Sequence, residues 1–227
     1  MKFFFLLAAI VHFSVSSFSQ SLSQIEISSG ISLSSYSFFT DQQVIIKISP
    51  EGKIMEWGTA LEPTRYNYQP GKLQPYMGRV DYYGIEADSA YRNKVKSIGT
   101  ARITYYSSFD DKVQTGKVKS IGSTVLDYYS TYENKAFSGK LKSAGAIILS
   151  YYGSFDNEAL REKLKSVGNT SLTYYSSLDD KLLKGKIKSI GTASYSWYSS
   201  FDQKEYRGAL KSGSLLQKIN GINYIIW

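Results

Sequence analysis

The chain lacks cysteine and carries a single histidine, His12. A disulfide framework is therefore impossible. Beyond residue 12 neither a Cys-His nor a Ser-His-Asp nucleophile, nor a zinc site built on His or Cys, can be assembled. Proline is scarce as well: Pro50, Pro63, Pro70 and Pro75 are the only four. Because proline removes a ladder donor, its absence from Met77 onward is what an uninterrupted hydrogen-bonded sheet requires. Long apolar runs are missing except for Phe3 to Val11, which follows Lys2 and precedes the small-residue segment Ser14 to Ser19. That pattern predicts a signal peptide over 1–19, cleaved after Ser19. Its roughly nine apolar residues are too few to cross a bilayer. No cysteine follows for lipid attachment, so no transmembrane span is expected once the signal is removed. Export to a periplasmic, outer-surface or secreted location is the resulting expectation. The remainder keeps 26 Lys+Arg against 19 Asp+Glu and no histidine.

What the chain does have is a repeat. Tyr82-Tyr83, Tyr105-Tyr106, Tyr128-Tyr129, Tyr151-Tyr152, Tyr174-Tyr175 and Trp197-Tyr198 succeed one another at intervals of 23 residues. A fixed period of this size specifies a repeat architecture. A lysine recurs at Lys96, Lys119, Lys142, Lys165, Lys188 and Lys211, preceded by an aliphatic and, in the first five copies, followed three residues later by glycine. A second lysine series, Lys94, Lys117, Lys140, Lys163 and Lys186, stands two residues earlier. Each Tyr-Tyr segment closes on an aromatic or aliphatic and an acid: Phe109-Asp110, Tyr132-Glu133, Phe155-Asp156, Leu178-Asp179 and Phe201-Asp202.

Each unit reads as a short strand such as 117–121, a Gly-Thr, Gly-Ser or Gly-Asn reversal, and a longer Ile, Leu, Thr and Tyr-rich strand such as 101–107 or 146–152. The chain thus divides into an N-terminal β section over 20–76, six repeats over 77–214 and a closing hairpin over 215–227 turned by Asn220-Gly221. Within the N-terminal section, 44–49 and 53–57 read as strands joined by Pro50-Glu51-Gly52. The section is expected to pair with the first unit and shield its open edge, and the hairpin to cap the other end. Residues 158–165 are rich in helix formers, but their counterparts carry Gly116, Gly139 and Gly185, so at most one helical turn is expected there.

The 23-residue unit, the tyrosine pairs and the openings Gly116-Lys117-Val118, Gly139-Lys140-Leu141 and Gly185-Lys186-Ile187 resemble the MORN-type repeats over about 77–214. The resemblance implies antiparallel hairpins that extend one twisted sheet, in a family whose arrays include membrane-associated and protein-assembly platforms. The fold expected is all-β, an elongated antiparallel β-hairpin repeat array. A β-solenoid is the alternative, with one coil per unit. Twelve strands side by side would span roughly 55 Å, six coils roughly 29 Å.

Strand alternation places the second tyrosine of each pair opposite to the first. Tyr106, Tyr129, Tyr152, Tyr175 and Tyr198, with Lys96, Lys119, Lys142, Lys165 and Lys188, form the candidate interaction surface. Both lysine series fall on one face by the same alternation, as a basic stripe suited to an anionic polymer. Carboxylates recur once per unit, which suits turn capping better than catalysis or a calcium site; Asp110-Asp111 and Asp179-Asp180 are the residues considered for calcium. Neither enzyme activity nor a cofactor or metal is expected. The expected role is a scaffold for a protein or cell-envelope partner, with binding of glycan or anionic polymer along the Tyr/Lys face as the alternative. Nucleic acid is the least expected partner of an exported chain.

Overall fold

A computed structural model describes residues 21–61, 70–133 and 135–227. The predicted signal peptide lies outside the described residues. Those described fold as twenty strands with no helix among them.

The repeats build an eleven-stranded sheet. It opens with β6 (Val80–Tyr82), which is followed by the hairpins β7 (Val95–Ile98) with β8 (Ala101–Tyr105), and β9 (Val118–Ile121) with β10 (Thr124–Tyr128). Then come β11 (Leu141–Ala144) with β12 (Ile147–Tyr151), β13 (Leu164–Val167) with β14 (Thr170–Tyr174), and β15 (Ile187–Ile190) with β16 (Ala193–Ser194). Every strand lies beside its sequence neighbours, and the pairings are antiparallel. This order is the hairpin array; a solenoid would pair equivalent strands in parallel. The last unit interrupts the ladder at Tyr195, and β17 (Ser196–Trp197) pairs separately with β18 (Leu210–Ser212).

Each unit contains one β-bulge, and the bulged residue is always the recurring lysine. Thr104 faces Ser120 and Tyr105 faces Val118, so Lys119 has no partner; Lys96, Lys142, Lys165, Lys188 and Lys211 are displaced in the same way. An extra residue resets the alternation beyond it. Val118 and Ile121 are consequently both buried although three residues apart, as are Leu164 and Val167.

The N-terminal section does not extend the array at its edge, contrary to the expectation from sequence. It forms β1 (Ser21–Ser28), β2 (Ser32–Phe39), β3 (Val44–Ile48), β4 (Ile54–Ala60) and β5 (Leu73–Pro75). With β19 (Leu216–Ile219) and β20 (Ile222–Ile226) these make a seven-stranded sheet in the order β19-β20-β1-β2-β3-β4-β5. The Asn220-Gly221 hairpin forms with both turn residues at positive φ. It joins this second sheet through a parallel pairing of β20 with β1.

The seven-stranded sheet covers the buried face of the repeats. Ile25, Tyr36, Phe38, Ile46 and Ile48 share one core with Val118, Leu126, Tyr128, Leu149 and Leu172. Hydrogen bonds pin the layers: Tyr36 Oη to Tyr151 Oη at 2.9 Å, Val118 N to Gly52 O at 2.9 Å, and Ile187 N to Gly30 O at 2.6 Å. Gly52 has a φ of +77°, and a Cβ there would lie 2.5 Å from Tyr128 Oη, so close approach of the layers requires glycine. A single hairpin sheet could bury only one of its aromatic ladders against itself; the second layer dries it.

Candidate interaction surface

The two tyrosines of a pair perform different structural tasks. The first reaches back ten residues to the carbonyl at the bulge of its own unit. Tyr105 donates to Val95 O at 2.9 Å, Tyr128 to Val118 O at 2.9 Å, Tyr151 to Leu141 O at 2.8 Å and Tyr174 to Leu164 O at 2.9 Å. Trp197 replaces the tyrosine in the last unit, and its indole Nε1 donates to Ile187 O at 2.8 Å. The second tyrosine reaches twenty residues forward into the next unit. Tyr106 donates to Leu126 O at 2.9 Å, Tyr129 to Leu149 O at 3.3 Å, Tyr152 to Leu172 O at 2.9 Å and Tyr175 to Tyr195 O at 3.2 Å. Its ring packs edge-on against the first tyrosine of that unit, with centroids 5.9 Å apart for Tyr106–Tyr128 and 6.0 Å for Tyr152–Tyr174. Burial, followed by the charges of Asp127 and Asp110, pushes the Tyr106 hydroxyl up to about 12. Burial raises Tyr129, Tyr152 and Tyr175 in the same direction, which keeps them as neutral donors.

The predicted candidate residues do come together, in pairs. Lys119 Nζ lies 5.0 Å from the centre of the Tyr106 ring, Lys142 5.8 Å from Tyr129, Lys165 5.2 Å from Tyr152 and Lys188 5.5 Å from Tyr175. Lys96 lies over Tyr83, and Tyr198 lies under Lys211. The earlier lysine series takes the other rings: Lys94 over Tyr105, Lys117 over Tyr128, Lys140 over Tyr151, Lys163 over Tyr174 and Lys186 over Trp197. Two separate rows therefore replace the single basic stripe expected from alternation, because the bulge intervenes between them. The earlier series is half-buried or buried and donates to backbone carbonyls. Lys94 bonds Gly116 O at 2.5 Å and Lys117 bonds Gly139 O at 2.7 Å, while Lys163 and Lys186 cross to Ile31 O and Ser29 O of the covering sheet. Desolvation lowers the pKa of Lys117, Lys163 and Lys186.

The recurring acids close turns. Asp110 accepts from Ser107 N at 2.6 Å and Ser107 Oγ at 2.8 Å, and Asp179 and Asp202 repeat the arrangement with Ser176 and Ser199. Those bonds hold the three carboxyls below the ordinary carboxylate range. Asp88 and Asp111 accept from the backbone and hydroxyl of Ser108 and Thr131 in the following unit. Asp180 does the same with Ser200. With their oxygens spent on turns, the carboxylates do not converge: among the described residues no group of three or more His, Cys, Asp or Glu could hold a metal ion.

One position of the repeat has no such task. Phe109, Tyr132, Phe155, Leu178 and Phe201, spaced by the 23-residue period, are exposed by between 91% (Phe201) and 104% (Phe155). Each stands on the turn that follows its tyrosine pair. In three units the backbone N–H of this residue is held by the turn serine, Phe109 to Ser107 Oγ, Leu178 to Ser176 Oγ and Phe201 to Ser199 Oγ. The side chain is thus presented by a rigid turn and packs on nothing. Successive copies are two strands apart, about 10 Å, which makes a row of apolar tips along the rim of the sheet. The sequence carried the signal, an apolar residue at a fixed place inside a polar turn, but the closing role assigned to it hid the exposure. Comparisons with protein-family models, with characterised proteins and with solved structures find no match.

Proposed function

We propose that this is an exported, non-catalytic scaffold that holds a protein or cell-envelope partner along the apolar row. The observation that carries the reading is the exposure of Phe109, Tyr132, Phe155, Leu178 and Phe201 at one recurring position. Large apolar side chains repeated in line and left in water point to a partner that covers them. Aromatic anchors carry most of the binding energy in such interfaces. The hydroxyls of Tyr106, Tyr129, Tyr152 and Tyr175 and the first lysine row, which would compete for this role, are committed to backbone carbonyls.

The test is site-specific photocrosslinking. A benzophenone residue at Phe155 should give one discrete adduct with an envelope fraction, insensitive to salt. Phe109→Ser with Phe201→Ser should abolish it without moving the unfolding midpoint. No adduct at Phe155, or the same adduct from a probe at Val125 on the sheet face, would rule the reading out. A second reading, an anionic polymer lying along the exposed Lys96, Lys119, Lys165 and Lys188, predicts capture that salt eliminates.

A further inference from the structure

The two layers leave a crevice of about 490 Å³ where β4 of the covering sheet meets the first repeat unit. Trp57 and Tyr105 supply rings to its wall, Lys53 and Lys94 supply ammonium groups, and Asn93 supplies an amide. No carboxylate lines it. Among the described residues neither lysine forms an ion pair, and Lys94 is held in place only by Gly116 O at 2.5 Å and the Tyr105 face. Burial and then the charge of Lys53 hold the Lys94 ammonium below its ordinary range. Two cations thus face one concave space with no ion pair and no carboxylate in its wall, the charge of Glu51 reaching Lys53 only from outside it.

The fourth unit has a corresponding crevice of about 280 Å³, and there the charges are answered. Glu51 and Glu162 line it together with Lys140, Arg161 and Lys163, and Lys140 bonds Glu162 Oε2 at 3.3 Å. Asn93 marks a further departure of the first unit. It occupies, at a φ of +61°, the position that Gly116, Gly139, Gly185 and Gly208 fill elsewhere. Glycine suffices for that turn, so the amide adds a hydrogen-bonding group that folding does not demand; its side chain has no partner among the described residues.

The geometry points to a binding site for an anionic sugar residue in the crevice between Trp57, Asn93, Lys94 and Lys53. The indole takes the flat apolar face of the ring, the two ammonium groups take the carboxylate, and the Asn93 amide takes a hydroxyl. The volume lies within the range of small-ligand sites. This site is separate from the apolar row on the turns, and either can fail without the other.

The experiment is a titration of the protein with a tetrasaccharide of alternating glucuronate and N-acetylglucosamine, followed by tryptophan fluorescence and calorimetry. The same tetrasaccharide with its carboxylates reduced to alcohols, and inorganic phosphate, are the comparison ligands. Saturable binding of the acidic form is expected, weakened at least about tenfold by carboxylate reduction or by Lys53→Ala, as loss of a charge-assisted hydrogen bond implies. Asn93→Gly, which installs the residue four other units already carry, should fold normally and bind several-fold more weakly. Absence of saturable binding, equal affinity for the reduced sugar or for phosphate, or unchanged affinity in both variants would each overturn the assignment.

Discussion

Trp197 shows what the tyrosine positions are selected for. Tryptophan and tyrosine share no side-chain shape, yet both can aim one donor at the bulge carbonyl ten residues back, and Ile187 O is met in this way. A β-bulge strands one carbonyl in an apolar interior, and an unpaired buried carbonyl costs about 1–3 kcal/mol. Tyr128→Phe should therefore lower the stability by about that amount, since Tyr128 is fully buried and Val118 O loses its phenol donor. Chemical denaturation would check this; a change under about 0.5 kcal/mol, the low end for any hydrogen bond, would contradict it. The pairing of the tyrosines was readable from the period alone, but the opposite faces expected from alternation were not found: the second ring of each pair packs against the first ring of the next unit, within one core. Their donors' destinations were not readable, because a carbonyl left over by a bulge has no signature of its own in sequence.

At the scale of the element, the reversals and hairpins follow from local chemistry. Gly99, Gly122, Gly145, Gly168 and Gly191 all turn at positive φ, as the Gly-Thr and Gly-Asn steps predict. The bulge was invisible because Lys-Ser-Ile reads equally well as plain alternation, and only pairing against the neighbouring strand reveals the extra residue. The strands β1 and β2 were likewise not assigned in advance. Their serine-rich runs, Ser-Leu-Ser-Gln-Ile-Glu-Ile-Ser and Ser-Leu-Ser-Ser-Tyr-Ser-Phe-Phe, have weak strand propensity and are held by the layer beneath. Residues 158–165, the helix-former-rich stretch, form turns leading into β13, and Glu162 sits at a φ of +65° where four other units have glycine. A left-handed conformation costs a residue with a Cβ about 1–2 kcal/mol, while the half-exposed pair of Glu162 with Lys140 contributes at most about 1 kcal/mol. Glu162→Gly should accordingly raise the unfolding midpoint, and Gly139→Ala, at a φ of +79°, should lower it. Thermal unfolding of the two variants would show whether both signs hold.

The whole molecule is less modular than its period suggests. A simple repeat array is a chain of nearest-neighbour contacts that tolerates loss of a unit. Here the covering sheet touches the array at Val118 through Gly52 and at Ile187 through Gly30, three units apart. Tyr36 meets Tyr151 between those points. The cover is thus a gauge of fixed length. Deleting residues 131–153, one full period, should displace one end of it by about 10 Å and depress the midpoint by on the order of 10 °C. That shift corresponds to a few kcal/mol in a chain of this size. A midpoint within about 2 °C of the parent would show that the layers are independent.

Period, strand content, reversals and the order of hairpins were determined by the sequence itself, because each depends on residues within one unit or its immediate neighbour. The candidate tyrosines and lysines were picked out in sequence by their recurrence, and the structure brings them together as cation–ring pairs. Only the tertiary structure decided that the N-terminal section lies over a face and not along an edge. It alone showed that the two lysine series part company at a bulge, and that the apolar turn residues stand free in water. These outcomes depend on contacts between segments tens to more than a hundred residues apart, such as Tyr36 with Tyr151 and Lys186 with Ser29. Such contacts are set by which surfaces dry each other, and no local pattern encodes that choice.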